Sequence, residues 1–175
     1  MTPRIVAFSG PRGCGKTTIA EHLCSTYGYT RVAFADAVRT IAQCVNPGSQ
    51  NNRIFLAELG QELRNCVPKF AILAVEHSLK SINGPVVIED VRFPSEMEFC
   101  KSIGAITIRF EIDRESQVRR LIDRGDNIEN LENTLDCEDE LRLKEEKYEF
   151  TIPAVGKFEH IAKQIHEINR SVYHV

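Results

Sequence analysis

Eight consecutive residues, Gly10-Pro11-Arg12-Gly13-Cys14-Gly15-Lys16-Thr17, fit the pattern G-x-x-x-x-G-K-[ST] at every position, and that pattern carries phosphate chemistry. Glycines let successive backbone N–H groups turn inward around a phosphate, and a following helix N-terminus adds positive potential. Lys16 has the reach for β- and γ-phosphates, and the Thr17 hydroxyl is a hard oxygen suited to Mg²⁺. The expected nucleotide-contacting set is Gly10, Arg12, Gly13, Cys14, Gly15, Lys16, Thr17 and Thr18. Thr18 stands where a dinucleotide-type G-x-G-x-x-G would need its third glycine, so that alternative fails. Cys14 is open to two readings. It is a small residue fitting a tight turn, or a thiol whose thiolate is favoured by Lys16 and a helix N-terminus.

A phosphate loop establishes nucleoside triphosphate binding; the acceptor decides the function. The run Val86-Val87-Ile88-Glu89-Asp90 ends in two carboxylates, as a strand that orders a metal should. Alternation points them to opposite faces, so either Glu89 or Asp90 fits on this ground. Arg92 lies two positions beyond Asp90. Arg120 and Arg124 are four apart on a helical pattern, whereas Arg119 has Asp123 as its i+4 partner. Forked guanidinium donors suit phosphoryl oxygens, so this pair reads as cations for a polyanion. Gly125-Asp126-Asn127 would serve as the hinge of a moving lid. Upstream, Arg39 follows Asp36, and Arg64 closes Gly60-Gln61-Glu62-Leu63-Arg64. Gly60 inside a helix costs about 1 kcal/mol relative to Ala, which suggests close approach by a ligand or helix.

These residues need a scaffold, and apolar runs alternate with helical patterns along the whole chain. Strands are expected at Ile5–Phe8, Thr30–Phe34, Val86–Asp90, Ala105–Phe110 and Phe150–Ile152. Helices are expected between them: one ending at Gly28, one over Asp36–Val45, one capped by Asn52, and one opening near Pro68. Further helices are expected from Pro94 to Gly104, over Arg114–Arg124, and from Lys157 on. Near-continuous apolar strands separated by helices imply a parallel sheet covered on both faces, a three-layer α/β/α fold.

At 175 residues the chain is expected to form a single domain. With 22 Lys and Arg against 25 Asp and Glu, the net charge is −3. A protein binding nucleic acid polymers would normally carry a basic surplus, so polymers are not expected partners. The six cysteines show no C-x-x-C and no metal-ligand spacing with His. No apolar stretch approaches membrane-spanning length, so no membrane partner is expected. The expectation is a reduced, cytoplasmic protein (host cytoplasm if viral), monomeric or homodimeric.

Several of these segments together resemble the deoxynucleoside monophosphate kinase family of phage type, within the nucleoside monophosphate kinase-like phosphate-loop proteins. GPRGCGKT resembles its phosphate loop, Phe34-Ala35-Asp36 with Arg39 its F-A-D-x-L-K segment, and Leu59-Gly60-Gln61-Glu62-Leu63-Arg64 its L-G-x-E-x-R helix. VVIEDVRFPSEMEFCKSIGAITIRF resembles its strand–D-x-R-F-x-x-E–helix–strand unit, and Arg120-Leu121-Ile122-Asp123-Arg124 the start of its lid. The resemblance implies a five-stranded parallel sheet of order 2-3-1-4-5, an acceptor-binding helical region about 36–84 and a lid about 120–140. It also implies Mg²⁺-dependent transfer of the ATP γ-phosphate to a (deoxy)nucleoside monophosphate. On that reading Lys16, Asp90, Arg120 and Arg124 are catalytic, and Asp36, Arg39, Arg64 and Arg92 bind the acceptor. Thr17 and Asp90 order the metal, and Arg12 assists. Three positions depart from the pattern: Arg39 replaces lysine, Cys137-Glu138 stands for Ser-Glu, and Pro153 replaces an Asn after the last strand. Phosphomevalonate kinase and dephospho-coenzyme A kinase are the rival enzyme readings, and a nucleotide-binding regulator is the rival of another class. No Asn-Lys-x-Asp guanine signature is present.

Overall fold

A computed structural model describes residues 4–125, 143 and 145–173. Of the expected lid, 126–140 therefore falls outside the described residues, as do the Asp126-Asn127 part of its hinge and Cys137-Glu138. The described elements run β1 (Ile5–Ser9), α1 (Lys16–Tyr27), β2 (Thr30–Val32), α2 (Phe34–Val45), a single 3-10 turn (Ser49–Asn51), α3 (Arg53–Cys66) and α4 (Phe70–Leu79). They continue with β3 (Val86–Ile88), α5 (Pro94–Ser102), β4 (Ile106–Glu111), α6 (Arg114–Asp123), β5 (Phe150–Pro153) and α7 (Phe158–Val172).

The strands form one parallel sheet in the order β2-β3-β1-β4-β5. β1 is central because every residue in it is buried, which a strand covered on both faces requires. It pairs Ile5 with Val86 on one side and Ser9 with Arg109 on the other, and β4 in turn aligns Glu111 with Pro153 of β5. One face carries Val6, Phe8, Ile106, Ile108, Phe110 and Ile152 against Ile19, Ala20 and Leu23 of α1 and Ile161, Ala162 and Ile165 of α7. Phe8 and Phe110 meet edge to face at 5.0 Å. The alternate residues Ile5, Ala7, Val86 and Ile88 are equally buried, so the opposite face is covered too, and α5 packs against β4 with Met97 and Cys100 buried.

By its contacts the chain divides into two compact units, one formed by the chain up to Arg31 and from Asn83 on, the other by Val32–Ile82. The second is helical. α2 packs on α3 and α4, and the Asn52 side chain caps α3 by accepting from the Phe55 N–H at 3.2 Å.

Three boundaries differ from expectation. β2 stops at Val32 and Phe34 already opens α2. Phe34 is as buried as a strand residue, and an apolar run does not mark where its period changes. β3 ends at Ile88, leaving Glu89 and Asp90 just beyond the ladder. α4 begins at Phe70, two residues after Pro68, behind a turn closed by Phe70 N–H to the Val67 carbonyl.

Candidate functional site

Between β1 and α1, Gly10, Gly13 and Gly15 all have positive φ, at 138°, 78° and 93°. Two of them also lack room. A Cβ on Gly10 would lie 2.6 Å from the Phe110 carbonyl oxygen, and one on Gly15 would lie 2.5 Å from the Phe158 ring. Glycine is thus required twice over at each, by backbone conformation and by close approach. The Lys16 ammonium folds back over the loop, donating to the carbonyls of Gly10 at 2.5 Å and Pro11 at 2.9 Å. Thr17 and Thr18 are exposed in the first turn of α1. Cys14 is fully buried and belongs to the core beneath the loop. That burial favours the packing reading over a reactive thiol.

The loop is braced by α6. Gln117, buried in that helix, donates to the Arg12 carbonyl at 2.9 Å. The Arg120 guanidinium donates to the carbonyls of Gly13 and Cys14, both at 3.4 Å, and to that of Ala154 at 2.7 Å. It also lies over the Phe158 ring, 5.0 Å from the centroid. Arg124, one turn on at the C-cap of α6, is exposed. Sequence periodicity put the two arginines on one helix. It did not show that one binds main-chain carbonyls of the phosphate loop while the other stands exposed at the helix C-cap. Gln117 and Phe158 went unread because a glutamine and an aromatic in amphipathic helices look like ordinary facial residues; only the i+3 spacing of Gln117 to Arg120 hinted at a shared face.

Beyond β3, Glu89 and Asp90 are both buried, 6% and 8% exposed. Glu89 accepts from Arg31 at 2.6 Å through Oε1, while its Oε2 is buried with no hydrogen-bond partner among the described residues. Arg31 was not singled out by sequence. Glu96, one residue of the D-x-R-F-x-x-E pattern, organises this corner: its Oε2 accepts from the Arg92 N–H at 2.8 Å and the Phe93 N–H at 3.1 Å. Burial pushes the Glu96 carboxyl up to about 7, opposed by those N–H bonds and reinforced by the Asp90 charge. Burial likewise pushes the Cys100 thiol up to about 12, with the charges of Glu96 and Asp90 adding. The signal for Glu96 was available as a reach-back acid three residues after the cap position and behind a proline at N1.

Next to Pro11, a cleft of about 480 Å³ is lined by Arg109, Phe110, Glu111, Asp113, Pro153 and Val155. Its wall is supported by Tyr148, which donates to the Leu143 carbonyl at 2.8 Å, lies 3.1 Å from the Ser9 hydroxyl, and carries Arg109 over its ring at 5.5 Å.

In the helical unit, Asp36 and Arg39 form a half-exposed i,i+3 pair at 3.1 Å in the first turn of α2. Arg64 donates to Gln61 at 3.4 Å on α3. A Cβ on Gly60 would meet Val38 and Arg64 at 3.6 Å, ordinary contact distance, so within this unit the position has room for a methyl group. The close approach that sequence suggested at Gly60 is not made by Val38 or Arg64.

No group of three or more His, Cys, Asp or Glu among the described residues is arranged to hold a metal. Mg²⁺ on a nucleotide needs only one or two protein oxygens, because phosphates and water complete its octahedron. The exposed Thr17 hydroxyl and the buried acidic pair, with its unpartnered oxygen, fit that modest requirement.

Comparison with known proteins finds similarity both in sequence and in fold. Adenylate kinase isoenzyme 1 of the carp Cyprinus carpio is 28% identical over 177 aligned positions, covering 89% of this chain and 81% of its own. The solved structure of TT1252 from Thermus thermophilus superposes with a TM-score of 0.66 at 18% identity, over 96% of this chain and 97% of that one. Shikimate kinase from Acinetobacter baumannii gives 0.61 at 18%, over 97% and 94%. No protein-family profile matches the sequence. The sheet order and phosphate loop are those of a phosphate-loop kinase fold. No helix among the described residues is long and apolar enough to cross a membrane.

Proposed function

We propose that this protein is an ATP:(deoxy)nucleoside-monophosphate phosphotransferase of the phage deoxynucleotide kinase type. The observation that carries the reading is the braced phosphate loop, with Lys16 laid across it and Arg120 fastened beneath it. The similarity to a carp adenylate kinase supports a nucleoside monophosphate as the acceptor.

The backbone N–H groups from Gly13 to Thr18 cradle the donor phosphates, and Lys16 exchanges its carbonyl partners for phosphoryl oxygens. The cleft beside Pro11 takes the donor nucleoside, where Pro153 offers shape in place of an amide. Thr17 and Asp90 would hold Mg²⁺, directly or through water, where it would supply charge neutralisation for the donor phosphates. Glu89, paired to Arg31, holds that corner's charge in place. Arg92, Arg39 and Arg64 bind the acceptor phosphate and Asp36 orients the acceptor. Arg120 and Arg124 set positive charge against the transferring group, with Arg12 assisting. Phosphoryl transfer depends chiefly on such positioning and charge stabilisation. The whole chain is one catalytic domain on this reading, with the acceptor region at about 36–84 and the lid at about 120–140.

ADP release measured over a panel of acceptors tests this. Turnover stimulated by one or more (deoxy)nucleoside monophosphates is expected. Stimulation by phosphomevalonate or dephospho-coenzyme A alone would replace the acceptor class, and nucleotide binding with no acceptor-stimulated turnover would replace the kinase with a regulator.

A further inference from the structure

We propose that Glu96 is a positioning residue for the acceptor: its buried carboxylate fixes the main chain at Arg92 and Phe93 and so aims the Arg92 guanidinium at the acceptor's phosphoryl group. The inference rests on the reading of Arg92 as an acceptor ligand.

Three consecutive amides are held here. The Val91 N–H donates to the Phe8 carbonyl of β1 at 3.0 Å, and the Arg92 and Phe93 N–H groups both donate to Glu96 Oε2 at 2.8 and 3.1 Å. Arg92 therefore launches an exposed side chain from a backbone held on both sides and tied to the strand that enters the phosphate loop. A helix start by itself does not need this. An exposed Ser, Thr or Asp at the cap position satisfies the first turn at little cost. Here the cap position is Phe93, which has no acceptor, and the task passes to an acid buried to 7% exposure close to the Asp90 charge. Burying a carboxylate is expensive unless its bonds are made. The return on that cost is geometric: displacing a binding group by about 1 Å can cost as much as 100-fold in rate. Because one oxygen accepts both bonds, an amide oxygen can replace it. The device depends on acceptor geometry and not on negative charge.

The test compares wild type with Glu96→Gln, Glu96→Ala and Glu96→Asp. Kinetics are measured with ATP and each of dAMP, dCMP, dGMP and TMP, alongside the Kd of a fluorescent ATP analogue and a thermal melt. Glu96→Gln is expected within about threefold of wild type in every parameter. Glu96→Ala, and Glu96→Asp with its shorter reach, are expected to raise the acceptor KM by about tenfold or more. The analogue's Kd should stay within about twofold, since the phosphate loop is untouched. If Glu96→Ala does not fold, Glu96→Asp carries the comparison. An unchanged acceptor KM in folded variants overturns the proposal, as does an equal loss of analogue affinity, which would mark a general structural role. Glu96→Gln failing as badly as Glu96→Ala also overturns it, by showing that charge matters. Wild type that binds the analogue but turns over no monophosphate brings down the kinase reading, and this inference with it.

Discussion

Arg120 divides its guanidinium among three main-chain carbonyls and an aromatic face. Arg120→Ala should therefore lower stability by about 1–3 kcal/mol, read from the urea midpoint, and weaken nucleotide binding in parallel. Arg120→Lys should restore little, because a point charge cannot span diverging acceptors. Arg124→Ala should lower kcat, if the exposed residue acts on the transferring group; an unchanged kcat/KM for every acceptor would remove it from the site. The cysteines separate just as sharply. Cys44 and Cys66 are exposed while Cys14 and Cys100 are buried. Brief treatment of native protein with a thiol reagent should label the first two and spare the others until unfolding, as peptide mapping would show. Residue types disclosed the phosphate loop because its chemistry demands them at fixed spacing. They did not disclose Gln117, Glu96 or Arg31, whose importance lies in which carbonyl, amide or carboxylate they meet.

Elements were more legible than their edges. The glycine punctuation after α1 and α5 was read correctly, with Gly28 and Gly104 at φ 69° and 72°. The ends of β2 and β3 were not, since apolar runs continue through the point where the ladder stops. α3 offers a clean test at this scale. Gly60 has helical neighbours and room for a methyl group within its own unit, so Gly60→Ala should stabilise the protein by up to about 1 kcal/mol. If that stabilised variant also loses acceptor affinity, the missing methyl is explained by a ligand, which is what the sequence suggested.

The sheet order is a property of the whole molecule, and only the resemblance anticipated it; alternating strands and helices by themselves indicated a parallel sheet without an order. Equally illegible was a polar patch where the end of α1 meets α7. His166 stacks on Tyr27 at 4.2 Å, and Asn169 is 1% exposed; among the described residues neither the buried His166 Nδ1 nor either Asn169 amide atom has a hydrogen-bond partner. Burial, then the charges of Arg170 and Arg4, hold the His166 pKa below its ordinary 6.5, against a smaller opposing effect from Glu167. The unfolded chain then takes up a proton more readily than the folded one. Stability is accordingly present above pH 6.5 and declines as pH falls below it. Tm measured from pH 8 to pH 5 should fall less steeply for His166→Gln than for wild type. Asn169→Leu should raise the stability read from urea denaturation by about 1–2 kcal/mol, because a buried amide without partners among the described residues is replaced by an apolar side chain of similar size.

The bracing of the phosphate loop has a consequence for how this sequence can diverge. Gln117 and Arg120 fasten onto carbonyl oxygens of residues 12, 13, 14 and 154, and a carbonyl is present whatever side chain its residue bears. Substitutions at Arg12, Cys14 and Ala154 can therefore accumulate across descendants without breaking the brace, within the limits of packing. Selection falls instead on the two donors and on the glycines that let the backbone come close. A lineage that changed Arg120 would have to rebuild the join between two chain segments more than a hundred residues apart.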